Sequence, residues 1–313
     1  MKTIKTNSLE IFKQNEYYPY SIGMVSNNAY LSIVATNKCQ CACPYCINSM
    51  TDHSLDLPID KAVINMKKLV DTYHIKEAII LGGEPLLHPE ILTLIARIRK
   101  EVGFETLRLT TNGIFLNKHR QLIPLFFDKE IGLQGINISC HNGKDFMSYN
   151  ELKEVCNLIK EANSDIKIRI NSNIYDGNLD TVEALQKHID ICSEFCDEFR
   201  ISNIISKDSF SVNPIETGTE LKLSEDKYKG LFTKFMENYS NNYTIFENPL
   251  TLGFVRYFLI PTKKPIIINW NIGSEVAKQI CENDIENRKV NTFKCLVSGN
   301  ISLSWNESNT IIS

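Results

Sequence analysis

The chain has 313 residues, which at roughly 150 residues per domain means one large domain or two ordinary ones. Hydrophobic residues at 43% and charged residues at 23% exclude fibrous and disordered classes. A net charge of −3 excludes a strongly basic protein held on nucleic acid by phosphate contacts, so bulk nucleic acid is not an expected partner. No run reaches the ~18 apolar residues of a membrane span. The first ten residues are polar and do not form a signal peptide, so a cytoplasmic location is expected.

Residues 1–28 read as an N-terminal extension with little periodicity. Residues 29–35 form the first predicted strand, and helical spacing follows over 57–73. Strands are then expected at 77–81, 106–110, 135–139, 166–171 and 198–204. Helices are expected between them at 91–102, 122–129, 148–162 and 179–196. Strand and helix alternate through six units at roughly 30-residue intervals, the signature of right-handed βα units on a parallel sheet. The predicted class is α/β: a partial (β/α)6 TIM-like barrel over residues 29–210. A C-terminal α+β region, residues 211–313, is expected to cover its open side.

In parallel sheets of this kind chemistry gathers at the C-terminal strand ends, and the polar motifs lie there. Gly82-Gly83-Glu84-Pro85 follows the second strand, Thr110-Thr111-Asn112-Gly113 the third and Ser139-Cys140-His141 the fourth. The first strand runs into four of the ten cysteines: Cys39, Cys41, Cys43 and Cys46. Cys39, Cys43 and Cys46 have C-x3-C-x2-C spacing. Three thiolates on one loop suit a [4Fe–4S] cluster with one iron left open. A zinc-binding structural or RNA-interaction loop is the competing reading, although structural zinc takes four protein ligands. Cys41 has no assigned role.

The segment from Thr36 to Cys46, with aromatic Tyr45 before the last cysteine, resembles the cluster loop of radical S-adenosylmethionine (SAM) enzymes. Gly82-Gly83-Glu84-Pro85 resembles that superfamily's GGEP segment, and the likeness runs through about residues 29–205. The nearest flavour is the subgroup that includes the molybdenum-cofactor enzyme acting on GTP and the peptide-modifying enzymes. The resemblance implies one [4Fe–4S] cluster on Cys39, Cys43 and Cys46, with SAM bound at its open iron. Electron transfer would cleave SAM reductively to a 5′-deoxyadenosyl radical, which takes a hydrogen atom from substrate. Such enzymes are oxygen-sensitive. The implied partners are a ribosomally made peptide or small-molecule substrate, and a reductant such as flavodoxin or ferredoxin.

The resemblance also implies site residues. Gly82 and Gly83 would let the backbone approach the methionyl part of SAM, Pro85 would border the same cofactor site, and Glu84 would accept from the ammonium group. Tyr45 would pack near the adenine. Ser139 would contact ribose or carboxylate, and Thr111, Asn112, Asn171 and Asn203 would line the cofactor site. Arg169, Asn171 and Asn173 alternate at period two and so share a strand face, expected to point into the lumen. Arg169 is expected to bind substrate, with pairing to a barrel carboxylate as the alternative. His141 is expected on the substrate side.

Cys156, Cys192 and Cys196 read as packing thiols. Cys140, Cys281 and Cys295 are candidate hydrogen-atom donors. Two C-terminal cysteines are too few for a second cluster, so one cluster is expected.

Overall fold

A computed structural model describes residues 16–43, 45–46, 52–204, 224–250, 254–261, 266–273 and 289–313. Strands β1 (Tyr17–Tyr20) and β2 (Gly23–Thr36) form a tight hairpin, Tyr20 opposite Gly23. Gly23 has φ +112°, a conformation that glycine takes without a Cβ penalty. The first core strand therefore begins six residues before residue 29. Its early half carries Ser26, Asn27 and Asn28 and pairs with β1, so hydrophobicity alone does not mark it.

Helix α1 (Ile59–Tyr73) follows, then β3 (Glu77–Gly82), α2 (Ile91–Arg97), β4 (Thr106–Thr111) and the short helices α3 (Ile114–Lys118) and α4 (Ile123–Phe126). Next come β5 (Gly135–Ser139), α5 (Tyr149–Ala162), β6 (Lys167–Ile174), α6 (Val182–Cys192) and β7 (Glu198–Asn203). The helix expected over 91–102 ends in a π turn, Ile98–Val102, closed by Gly103 at φ +84°. The helix expected over 122–129 is a 3-10 turn, Arg120–Leu122, leading into α4. Ser148 caps α5 with a capping box completed by Glu151, and Thr181 caps α6. The last cap explains why α6 starts after the expected residue 179.

The C-terminal region adds α7 (Glu225–Tyr239), β8 (Tyr243–Leu250), β9 (Phe254–Pro261), β10 (Ile267–Gly273), β11 (Lys289–Cys295), β12 (Ile301–Ser302) and β13 (Thr310–Ile312). The sheet order is β13-β12-β11-β2-β3-β4-β5-β6-β7-β10-β9-β8. All pairings from β11 through β10 are parallel. Thus β11 and β10 extend the predicted six parallel strands at opposite edges. The described C-terminal strands lengthen the sheet at both edges.

Each parallel strand has one buried apolar face. Leu31 and Ile33, Ala78 and Ile80, Leu107 and Leu109, Ile136 and Ile138, Ile168 and Ile170, and Phe199 and Ile201 are all 0% exposed. They pack with Met66 and Leu69 of α1, Leu152 and Ile159 of α5, and Leu185 of α6 in one core. Each such side chain contributes roughly 1.5–3 kcal/mol of burial. The alternate residues line the concave face. Among the described residues, no helix is long and apolar enough to cross a membrane.

Candidate functional site

The cysteine loop leaves the end of β2 held from several sides. Thr36 Oγ1 donates to Asp56 Oδ1 at 2.6 Å, and the Asn37 N–H donates to the Leu55 carbonyl at 3.0 Å. From β3, the Gly83 N–H donates to the Thr36 carbonyl at 2.9 Å and the Glu84 N–H to the Lys38 carbonyl at 2.7 Å. A Cβ at Gly82 would stand 2.3 Å from the Thr36 carbonyl oxygen, and one at Gly83 2.3 Å from that of Lys38. The two glycines let β3 and the cysteine loop lie backbone against backbone.

Cys39, Cys41, Cys43 and Cys46 are all half-buried, and the Cys46 N–H donates to the Cys43 carbonyl at 3.0 Å. Burial pushes the thiols of Cys39 and Cys43 up from their ordinary values, and the neighbouring cysteines add to it. Crowded thiols of this kind are relieved by a cationic centre that takes them as thiolates, so the donor set fits an iron–sulfur cluster. Among the described residues, the Cys/His group whose ligand atoms lie within 4.8 Å of one another is Cys140, His188 and Cys192, not the loop cysteines.

Cys41 is tied back. Its N–H donates to Cys39 Sγ at 3.4 Å, and its Sγ accepts from Asn112 Nδ2 at 3.7 Å. Burial, then Cys39 and Cys43, push its thiol up to about 12. Asn112 Oδ1 accepts from Gln40 Nε2 at 3.2 Å and from the Ile114 N–H at 3.0 Å. Asn112 thus braces the loop.

Glu84 is corrected. It is 0% exposed, and its carboxylate accepts from Thr111 Oγ1 at 2.8 Å, the Asn112 N–H at 2.9 Å and the Leu86 N–H at 3.1 Å. Burial raises it to about 7 against those three donors. A carboxylate with no exposed surface is a strut between the ends of β3 and β4, not an acceptor for a ligand ammonium. Thr111, 2% exposed, belongs to that strut. Pro85 is buried at the first position of a 3-10 turn.

Tyr45 packs beside His141 and Tyr175, both ring centroids at 5.4 Å. His141 is 3% exposed, and its Nδ1 accepts from the Asn173 N–H at 3.0 Å. Burial lowers it to about 4, so it is neutral. It bridges the ends of β5 and β6 and carries Tyr45, where a substrate contact was expected. Ser139 ends β5, half-buried, in register with Asn171. Asn203 ends β7, and its Oδ1 accepts from the Ile204 N–H at 3.0 Å.

The period-two face of β6 behaves as expected. Arg169, Asn171 and Asn173 are half-buried while Ile168, Ile170, Ser172 and Ile174 are buried. Arg169, however, is satisfied by protein. Its Nε donates to Glu198 Oε2 at 2.7 Å and its Nη2 lies 2.5 Å from the same oxygen. Arg108 Nη1 lies 3.7 Å from that carboxylate. The barrel-carboxylate alternative describes Arg169. Sequence reasoning missed Glu198 and Arg200, although Glu198, Arg200 and Ser202 alternate on β7 just as the β6 trio does.

Of the candidate hydrogen-atom donors, Cys140 is 5% exposed and faces the helix layer beside Cys192 and His188. Ser172 Oγ donates to the Cys140 carbonyl at 2.6 Å, so it must accept from His188 Nε2 at 2.8 Å. Tyr149 OH then donates to His188 Nδ1 at 2.7 Å. Both imidazole nitrogens are used, so the histidine has no lone pair for a metal. Cys295 is 0% exposed inside β11, its thiol pushed up to about 12 by burial. Neither thiol faces the lumen. Cys281 lies outside the described residues. Cys156 and Cys192 are fully buried and Cys196 half-buried, as packing thiols.

An open parallel barrel with a three-thiol loop and a diglycine strand end at one rim defines a class of iron–sulfur enzymes that use SAM. The chain belongs to the radical SAM superfamily, whose profile matches residues 33–192. GTP 3′,8-cyclase from Staphylococcus aureus is 28% identical, with 67% of this chain and 68% of that relative covered. In fold, the chain is similar to SuiB from Streptococcus suis bound to SAM, at 14% identity and a TM-score of 0.63. That match covers 92% of this chain and 64% of SuiB, so the chain spans less than two thirds of SuiB's length. The structure of anSMEcpe with AdoMet and a peptide matches at a TM-score of 0.50 and 14% identity, covering 68% of this chain and 60% of that one.

Proposed function

We propose that Cys39, Cys43 and Cys46 hold one [4Fe–4S] cluster and that SAM binds beside it at the strand ends. When bound, the pair supplies a 5′-deoxyadenosyl radical that takes a hydrogen atom from substrate. The observation that carries this reading is the joint register of two motifs. The diglycine strand end is hydrogen-bonded backbone to backbone against the very loop that bears the three cysteines.

The residues around that loop position and shield. Glu84, Thr111 and Asn112 fix the rim, and Tyr45 on His141 forms an apolar wall toward β6. Ser139, Asn171 and Asn203, at the ends of β5, β6 and β7, offer polar groups to the cofactor. The backbone of Gly82 and Gly83 borders the same rim. Substrate sits in the lumen below. The cyclase relative favours a small-molecule substrate, and SuiB, also solved bound to a precursor peptide, keeps a peptide as the second reading. A flavodoxin or ferredoxin supplies the electron. The family match counts against a structural zinc.

Anaerobic reconstitution with iron and sulfide tests the reading. The expected result is about four irons per chain and, after dithionite reduction, methionine and 5′-deoxyadenosine formed from SAM in equal amounts. A colourless protein that binds one zinc and leaves SAM intact would overturn it.

A further inference from the structure

The lumen face of the sheet carries three arginines, Arg108, Arg169 and Arg200, around one glutamate, Glu198. Arg169 and Arg108 share that glutamate. Among the described residues no carboxylate pairs with Arg200. It stands in a row across four adjacent strands: Asn269 on β10, Arg200 on β7, Asn171 on β6 and Ser139 on β5. Phe199 and Ile201, on either side of it, are 0% exposed against the helix layer, so Arg200 projects from the opposite, concave face. It is exposed to solvent in that bowl, yet ringed by protein.

Its two flanking amides are unusual. Asn171 Oδ1 and Asn269 Oδ1 are buried and have no hydrogen-bond partner. A buried polar atom left unpaired costs roughly 1–3 kcal/mol, so such atoms concentrate where a ligand completes the bonding. Amide oxygen and nitrogen exchange places by a simple flip, and the flipped form would present donors beside the guanidinium. A fork of five N–H donors between two amides matches an oxyanion. Burial and the nearby Arg169 charge lower the proton affinity of Arg200; the Tyr30 and Tyr228 hydroxyls act against them only in part. An incoming anion would offset them.

We propose that the Asn269–Arg200–Asn171 row is an anion subsite for the substrate, one that takes a carboxylate or phosphate group. This deepens the proposed function and rests on it. The row is level with Ser139, at the strand end where SAM is placed. A bound oxyanion there would therefore hold the rest of the substrate within reach of the rim.

The test uses the reconstituted, SAM-loaded protein, with inorganic phosphate and succinate as probes and the fluorescence of Trp270, the neighbour of Asn269, as readout. At least one probe is expected to bind. Arg200→Met should weaken that binding at least tenfold, and Arg200→Lys should recover part of it. SAM affinity, measured separately, should hold within about twofold, consistent with one lost charge-assisted contact being specific to the substrate. If neither probe binds, or if Arg200→Met binds it as the wild type does, the subsite is refuted. A parallel tenfold loss of SAM affinity also refutes it, by assigning the guanidinium to the cofactor's carboxylate. Formation of 5′-deoxyadenosine by the wild-type protein tests the proposed function independently, so the two failures are distinguishable.

Discussion

Cys41 shares a loop with three proposed ligands but points its sulfur at Asn112 Nδ2. Its substitution by alanine should leave iron content unchanged, whereas alanine at Cys39, Cys43 or Cys46 should reduce iron to near zero after reconstitution. Iron retained by all three single variants, or lost with Cys41, contradicts the assignment. Histidine protonation offers a second test. Burial holds His141 near 4 and His188 near 3, both below the ordinary 6.5. A depressed value favours the folded state above the unfolded pKa, and that contribution is lost as pH falls. Stability should therefore drop between pH 6.5 and 4, by up to about 1.4 kcal/mol per pH unit for each histidine. His188→Gln should make that limb shallower in urea unfolding; an unchanged slope would show that His188 does not titrate with folding.

At the scale of elements, the diglycine end of β3 is a packing device. Gly83→Ala places a Cβ 2.3 Å from the Lys38 carbonyl oxygen, against backbone that cannot swing aside. Iron incorporation should fall several-fold even though every cysteine remains. Normal iron content would mean that the loop tolerates displacement. By contrast, Ser148→Ala removes the capping box of α5, leaves the backbone of the cysteine loop untouched, and should cost about 0.5–2 kcal/mol in thermal unfolding with iron content unchanged. The βα rhythm and the strand-end motifs were readable because alternation and turn residues are local signals. The β1–β2 hairpin and the edge positions of β10 and β11 were not, since their partners are set by tertiary pairing. The same limit explains the site. Period two placed Arg169 in the lumen, but its partner Glu198 lies 29 residues away on the next strand. Glu84 looked like a ligand group until its three internal donors were in view.

At the scale of the molecule, eight parallel strands among the described residues place one apolar face under the helices and one polar face around a bowl, with the cysteine loop at its rim. The proposed cofactor site lies at the rim and the proposed substrate site in the bowl. The claim on which the rest depends is that three thiolates leave one iron open to SAM. Its most direct test is the electron paramagnetic resonance spectrum of the dithionite-reduced, reconstituted protein, recorded with and without SAM. The account predicts a cluster signal that changes shape when SAM is added to the wild type, and no such signal in Cys43→Ala. A signal indifferent to SAM, or no cluster signal in the wild type, would contradict it.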